Sequence, residues 1–246
     1  MPYLTKAEIE SIAARVFRAY RKLLGENGNE PRRVEPERLA KDLLGLTVLY
    51  RTLAVPAEVL GLTSPGEVDV GVINEEGNLV YEHIDGKTIL VSASLLNDPA
   101  LTGHLHFTLM HEISHQIYKM LFPKAYAGEK ARGTIHYCKR PNRRQQSSWE
   151  EWRTDSLAAA ILMPPELVRY YLRQYGFGEK MWLLNRVYAP EEYVKFTQMA
   201  ESLGVSKTAL AIRLKELGLV ENDYFKNPYE LLTIYPDDDW MKEEAR

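Results

Sequence analysis

The sequence predicts an α+β protein, mostly helical, with one small, mostly antiparallel sheet and a C-terminal helical hairpin. Three observations carry this. Apolar residues recur at helical spacing from Thr5 to Leu44 and over most of the chain after Thr102. Between Leu46 and Leu95 the period shortens towards two, the spacing of strands. Near the C-terminus two helical stretches, about Pro190–Leu203 and Ser206–Leu217, are separated by Gly204.

In chain order, Thr5 is placed to cap the first helix, with Glu8 completing a capping box. Ile9, Ile12, Val16, Phe17, Tyr20 and Leu23/Leu24 form its apolar stripe, and Gly25 and Gly28 end it. After a short linker from Pro31 to Glu35, Pro36 starts a second helix that closes at Gly45. Strands are expected at Thr47–Tyr50, Val68–Ile73, Leu79–Tyr81 and Thr88–Val91. Asn74–Asn78 is a turn, and Asp85-Gly86 a hairpin signal. An apolar helix follows from Thr102 to Leu121, ended by Pro123. Lys124–Ser148 shows no sustained period and carries Lys124, Lys130, Arg132, Lys139, Arg140, Arg143 and Arg144 against Glu129. It reads as a long basic loop: a substrate-facing flap, a nucleic-acid contact or a solvated mobile segment. Ser148 opens a helix containing Ala158-Ala159-Ala160, and Met163-Pro164-Pro165 breaks it before another helix to about Tyr175.

Composition bounds the function. The 246 residues are 45% hydrophobic and 26% charged, ordinary for a soluble globular protein. A net charge of −3 gives no bulk attraction to polyanions. The single cysteine, Cys138, excludes a disulfide framework and a cysteine-based structural zinc site. With no leader-like apolar core and no apolar run approaching a membrane span, a cytoplasmic location and no membrane partner are expected.

Within the 102–121 helix stands His111-Glu112-Ile113-Ser114-His115. Residues four apart share a helix face, so His111 and His115 can present two imidazole nitrogens to one ion. Glu112 lies about 100° round the helix, placed to act on a metal-bound water without ligating. This is the arrangement of a zinc-dependent peptidase, in which the ion acidifies its water and the Glu takes the proton. His104, about 10 Å earlier along the axis, is too far to share the ion. His83 and His106 carry no partner signal.

A catalytic zinc takes three protein ligands and keeps one open position. The helix after the basic segment offers Glu150, Glu151 and Asp155. Glu151 can be the third ligand, with Asp155 receiving the second ring N–H of a ligating His. The alternative is that Glu151 merely completes a capping box with Ser148, an ambiguity that Glu150 shares with Ser147. His136, Tyr126 and Tyr137 are candidate donors to an oxyanion. Cys138 can reach the metal and inhibit, or be a packed thiol.

Phe107-Thr108-Leu109-Met110 leading into the His-Glu-x-x-His motif is followed by Glu151-Trp152-Arg153-Thr154-Asp155-Ser156-Leu157-Ala158-Ala159-Ala160-Ile161-Leu162-Met163-Pro164. These two motifs in this order resemble the ImmA/IrrE family of zinc metallopeptidases, and the resemblance spans roughly Thr5 to Val220. It implies a zincin-like metallopeptidase domain over 1–189 and a helix-turn-helix-like extension over 190–220 packed on it; beyond the resemblance, the residues themselves read as an acidic tail over 221–246 bearing Asp237, Asp238, Asp239, Glu243 and Glu244. It implies a Zn2+ cofactor with Glu151 as third ligand. The implied substrate is a protein: a helix-turn-helix transcriptional repressor or an antitoxin-like regulator. Ser114 stands where the family commonly has Gly, Thr154 where Ala is usual and Leu157 where Phe is usual. None of these removes a ligand, while Ser114 tightens the space beside the metal helix.

Two other functions are compatible with the sequence. Ala200 to Leu217 resembles a helix-turn-helix, with Lys207, Thr208, Arg213 and Lys215 as candidate DNA contacts. A non-catalytic partner of a repressor or toxin is the other, although a pure binder has no need of Glu112.

Overall fold

Thr5 opens α1 (Lys6–Leu23) through the expected reciprocal capping box: its hydroxyl accepts from Glu8 N–H while the Glu8 carboxylate accepts from Thr5 N–H. Ile9, Ile12, Ala13, Phe17 and Tyr20 turn inward at helical spacing. The computed structural model describes residues 3–25, 33–56, 58–139 and 148–232. Gly28, Pro31, Arg140, Arg143, Arg144, Ser147 and the acidic residues from Asp237 onward lie outside them. The second helix begins at Pro36 and closes at Gly45 as expected, but it is not α-helical throughout. One α-turn, α2 (Pro36–Arg38), widens into a π-turn over Leu39–Leu43 and ends at Gly45, whose φ is +63°.

Among the described residues the sheet has six strands where four are expected. They are β1 (Thr47–Leu53), β2 (Val59–Thr63), β3 (Val68–Ile73), β4 (Leu79–Ile84), β5 (Thr88–Ser92) and, after two helices, β6 (His136–Lys139). Their order is β4-β3-β1-β5-β2-β6. Four of the five pairings are antiparallel, and β1–β5 is parallel. β3 and β4 form the expected hairpin about Asn74–Asn78. Asp85-Gly86 does not make one, because β5 pairs with β1 and β2 instead of β4. The Asp85 carboxylate accepts from Lys87 N–H and Thr88 Oγ1, turning the chain away from β4. β5 is apolar on both faces and so belongs in the middle of the sheet. Ile89 and Val91 enter the main core while Leu90 enters a smaller one.

Helix α3 (Thr102–Leu121) crosses one face of this sheet and is buried continuously from Thr108 to Tyr118. Phe122 breaks it, and Pro123 starts α4 (Pro123–Arg132). The supposed basic loop is therefore, within the described residues, a helix and an edge strand. α4 escapes a periodicity reading because it buries only Tyr126, and β6 because it is four residues long. Then come α5 (Trp149–Leu162), α6 (Pro165–Gln174), β7 (Met181–Leu184), α7 (Pro190–Leu203), α8 (Lys207–Glu216) and β8 (Val220–Asp223), which pairs with β7 in parallel. α5 packs against both α3 and α1.

The helical hairpin shares its core with the rest of the chain. One hydrophobic cluster runs from Leu4 through α3 and α5 to Leu210, Leu214 and Leu219. A Cβ at Gly103 would stand 2.5 Å from Ser206 N, so the turn between α7 and α8 lies directly on the start of α3. His106 is partnered there, its Nδ1 2.9 Å from Gly204 O. His83 is partnered too, by Asp69 across the β3–β4 hairpin at 2.9 Å. The segment from Glu221 is not a free tail as far as Leu232. β8 occupies its start, and Asn185 donates to the carbonyl of buried Pro228. Among the described residues, no helix is long and apolar enough to cross a membrane.

Candidate metal centre

The buried stretch of α3 is rich in polar groups, each of which needs a partner once removed from water. Ser114 folds its hydroxyl back onto Met110 O at 2.8 Å, so it adds little bulk beside the metal face. Gln116 donates to Thr63 Oγ1 and Ser64 O on β2 and just beyond it. Tyr118 donates to Arg153 O, and the Arg153 guanidinium lies over the Tyr118 ring at 4.7 Å, tying α3 to α5.

His111 and His115 point to one place. Their Nε2 atoms are 3.2 Å apart. Glu151 on α5 reaches into the same space, with Oε2 3.1 Å from His111 Nε2 and Oε1 3.7 Å from His115 Nε2. Ser148 caps α5 by accepting from Glu151 N–H at 3.2 Å, and the Glu151 carboxylate turns to the histidines instead of back to the cap. Ligands about 2.0–2.1 Å from a tetrahedral ion stand roughly 3.3 Å from one another. The closest approaches are of that order, the two from Glu151 being made by different carboxylate oxygens, and His111, His115 and Glu151 form a group that could hold a metal ion. Asp155 Oδ1 lies 2.8 Å from His111 Nδ1. It holds the proton on that nitrogen and leaves Nε2 to ligate.

Glu112 is fully buried. Its Oε1 accepts from Cys138 N–H on β6 at 3.0 Å, and its Oε2 has no hydrogen-bond partner among the described residues. Gly61 on β2 makes room for it: a Cβ there would stand 2.8 Å from Thr108 Cγ2 and 3.2 Å from Glu112 Cγ. Burial raises the Glu112 pKa to about 8, with Glu151 adding to the rise and His111 and the Cys138 amide opposing it. For His111, burial works to lower the pKa. The Asp155 and Glu151 hydrogen bonds and the Glu112 charge overcome it, raising the value to about 10. His115 is pushed down by burial and by the charges of His111, His136 and Arg153.

The three candidate oxyanion donors separate. β6 alternates, so His136 and Cys138 face α3 while Tyr137 packs in the small core on the far side of the sheet, away from the centre. His136 stacks on the His115 ring at 4.4 Å and is held by Glu129 at 3.0 Å. Tyr126 is buried edge-on to His136, with its hydroxyl unpartnered among the described residues. Two contributors had no signal in the sequence: Gly61, and the backbone amide of Cys138. The first lies on a strand without alternation, and the second is main chain. Cys138 itself is buried. Burial and the carboxylates of Glu112, Asp155 and Glu151 raise its pKa well above the usual thiol value.

Of the suggested DNA contacts, Arg213 is not on the surface. It donates to Met163 O at 3.0 Å and makes a paired contact with the Glu10 carboxylate at 2.5 and 2.9 Å. Lys207, Thr208 and Lys215 are exposed. Comparison with protein-family models and with curated protein sequences gives no match.

Proposed function

We propose that this protein is a zinc-dependent endopeptidase of the ImmA/IrrE type, with a zincin-like catalytic domain. One observation carries the reading: two helices bring one ligand atom each from His111, His115 and Glu151 within 4.8 Å of one another, beside a buried carboxylate that has an oxygen unpartnered among the described residues. His111, His115 and Glu151 hold the ion, and Asp155 orients His111. A zinc ion held there supplies Lewis-acid activation of water and of the scissile carbonyl. Glu112 Oε2, buried and turned to the same space as the ligands, would accept the proton of the attacking water. It then returns the proton to the leaving amine. Cys138 N–H fixes the other oxygen, so the free one keeps a constant direction.

The resemblance in the sequence supports a protein substrate, a helix-turn-helix repressor or antitoxin-like regulator, and a cytoplasmic role in transcription regulation. The test is Glu112→Gln. This variant should retain one zinc and lose about 10²–10⁴-fold in cleavage of a repressor encoded beside it. Undiminished turnover would contradict the general-base role.

A further inference from the structure

An imidazole that ligates through one nitrogen carries its proton on the other, and that proton needs an acceptor once it is buried. For His111 the acceptor is Asp155, at Nδ1. For His115 the nitrogen turned to His111 and Glu151 is Nε2, which leaves the proton on Nδ1. His115 is 2% exposed, and its Nδ1 has no hydrogen-bond partner among the described residues. A second unpartnered atom of the opposite kind stands nearby. Glu150 Oε1 on α5 is buried and also lacks a hydrogen bond among the described residues. A ring nitrogen of His115, one of His136 and a carboxylate oxygen of Glu150 lie within 4.8 Å of one another.

We propose that Glu150 is the positioning residue of His115, its carboxylate accepting the Nδ1 proton directly or through one bridging water, as Asp155 serves His111. The proposal rests on the metal-centre reading above. Helix α5 then supplies the third ligand and both orienting carboxylates. Glu150 and Glu151 are neighbours in its first turn, about 100° apart round the axis, so they reach His115 from different sides. Glu151 approaches Nε2, at 3.7 Å, and Glu150 is left for Nδ1. A span of up to 4.8 Å is closed by a turn of the Glu150 side chain, or by one water about 2.8 Å from each group. His136 is a poorer acceptor. Its ring stacks over that of His115 instead of lying in its plane, and its Nε2 is engaged by Glu129. The Arg153 guanidinium, 3.6 Å from Glu150 Oε1, disfavours the other use of these three side chains, a second cation. Held by Glu150, the His115 ring keeps its orientation and becomes a more basic ligand.

The test uses the full chain loaded with Co2+, whose unpaired electrons shift the ring N–H protons of ligating histidines out of the crowded proton NMR spectrum. Wild type should show two such solvent-exchangeable signals, from His111 and His115. Glu150→Ala should displace or lose one of them and leave the other, which Asp155 holds. Glu150→Gln keeps an acceptor oxygen and should keep both. Against a chelator, Glu150→Ala should hold zinc about 10-fold more weakly, a loss that still leaves the ion on the purified chain, and Glu150→Gln should restore most of it. Thermal melts establish that both variants are folded. Two unchanged signals in Glu150→Ala would overturn the proposal, as would a zinc affinity equal to that of wild type. Two cobalt ions per wild-type chain would overturn it in favour of a second cation on His115, His136 and Glu150. Each of these results leaves the first metal centre standing. A wild type with no shifted signals would sink that centre as well.

Discussion

At the proposed centre a metal would have to displace the proton of His111. Its pKa is raised from 6.5 to about 10 in the metal-free protein. The sign follows from linkage. The protonated ring contributes stability that is fully present below pH 6.5 and lost as the pH rises through about 10. Metal binding runs the other way, because it requires the neutral ring. Zinc affinity measured by chelator competition should therefore rise about tenfold per pH unit between pH 7 and 9. A flat profile would contradict the Asp155–His111 arrangement. At this scale the sequence was informative wherever spacing alone places a side chain. The four-residue interval put His111 and His115 on one face, and the same interval aligned Glu151 with Asp155. It was ambiguous at Glu151, since Ser-x-x-Glu spacing serves a cap and a ligand equally. It failed at Tyr137, because the face a strand residue takes depends on a strand that had not been recognised.

The elements that frame the site are α3, α5, β2 and β6, and the close approach of β2 to α3 rests on Gly61. Gly61→Ala puts a methyl group within 2.8 Å of Thr108 and 3.2 Å of Glu112. The strand or the helix must shift, so a loss of about 1–3 kcal/mol is expected in urea denaturation. Zinc-dependent cleavage should fall further than stability alone explains, through displacement of Glu112. Wild-type stability and activity would show that β2 does not brace the base. β2 was missed because all five of its residues are buried, which erases the alternation that marks a half-buried strand. The Asp85-Gly86 hairpin failed for a related reason. The turn chemistry is present, but the apolar Thr88–Val91 stretch is satisfied only in the sheet interior, and burial decides over local turn preference. The long helices were legible because their stripes and caps agree.

Across the whole molecule, Arg213 joins α8 to α1 and to the end of α5. Its guanidinium is buried and bound to Glu10 and Met163 O, while the Glu10 side chain is partly exposed. Arg213→Met should destabilise the fold by about 3 kcal/mol. Glu10→Gln should do so by less, and the two effects should be less than additive in a double-mutant cycle, read from denaturant midpoints. Full additivity would mean that the pair does not couple these helices. A helix-turn-helix pattern in the sequence could not reveal this, because the same small residue, turn glycine and capped helix also describe a hairpin packed into a core. The centre depends on that core, which sets α5 against α3. The central claim is that Glu151, brought by α5, completes the metal site with His111 and His115. The most direct measurement is the zinc content of purified wild type, Glu151→Ala and Glu150→Ala, each confirmed folded by circular dichroism. One zinc per chain in wild type and Glu150→Ala, with loss from Glu151→Ala, is the predicted result. Full zinc in Glu151→Ala, or none in wild type, would contradict it.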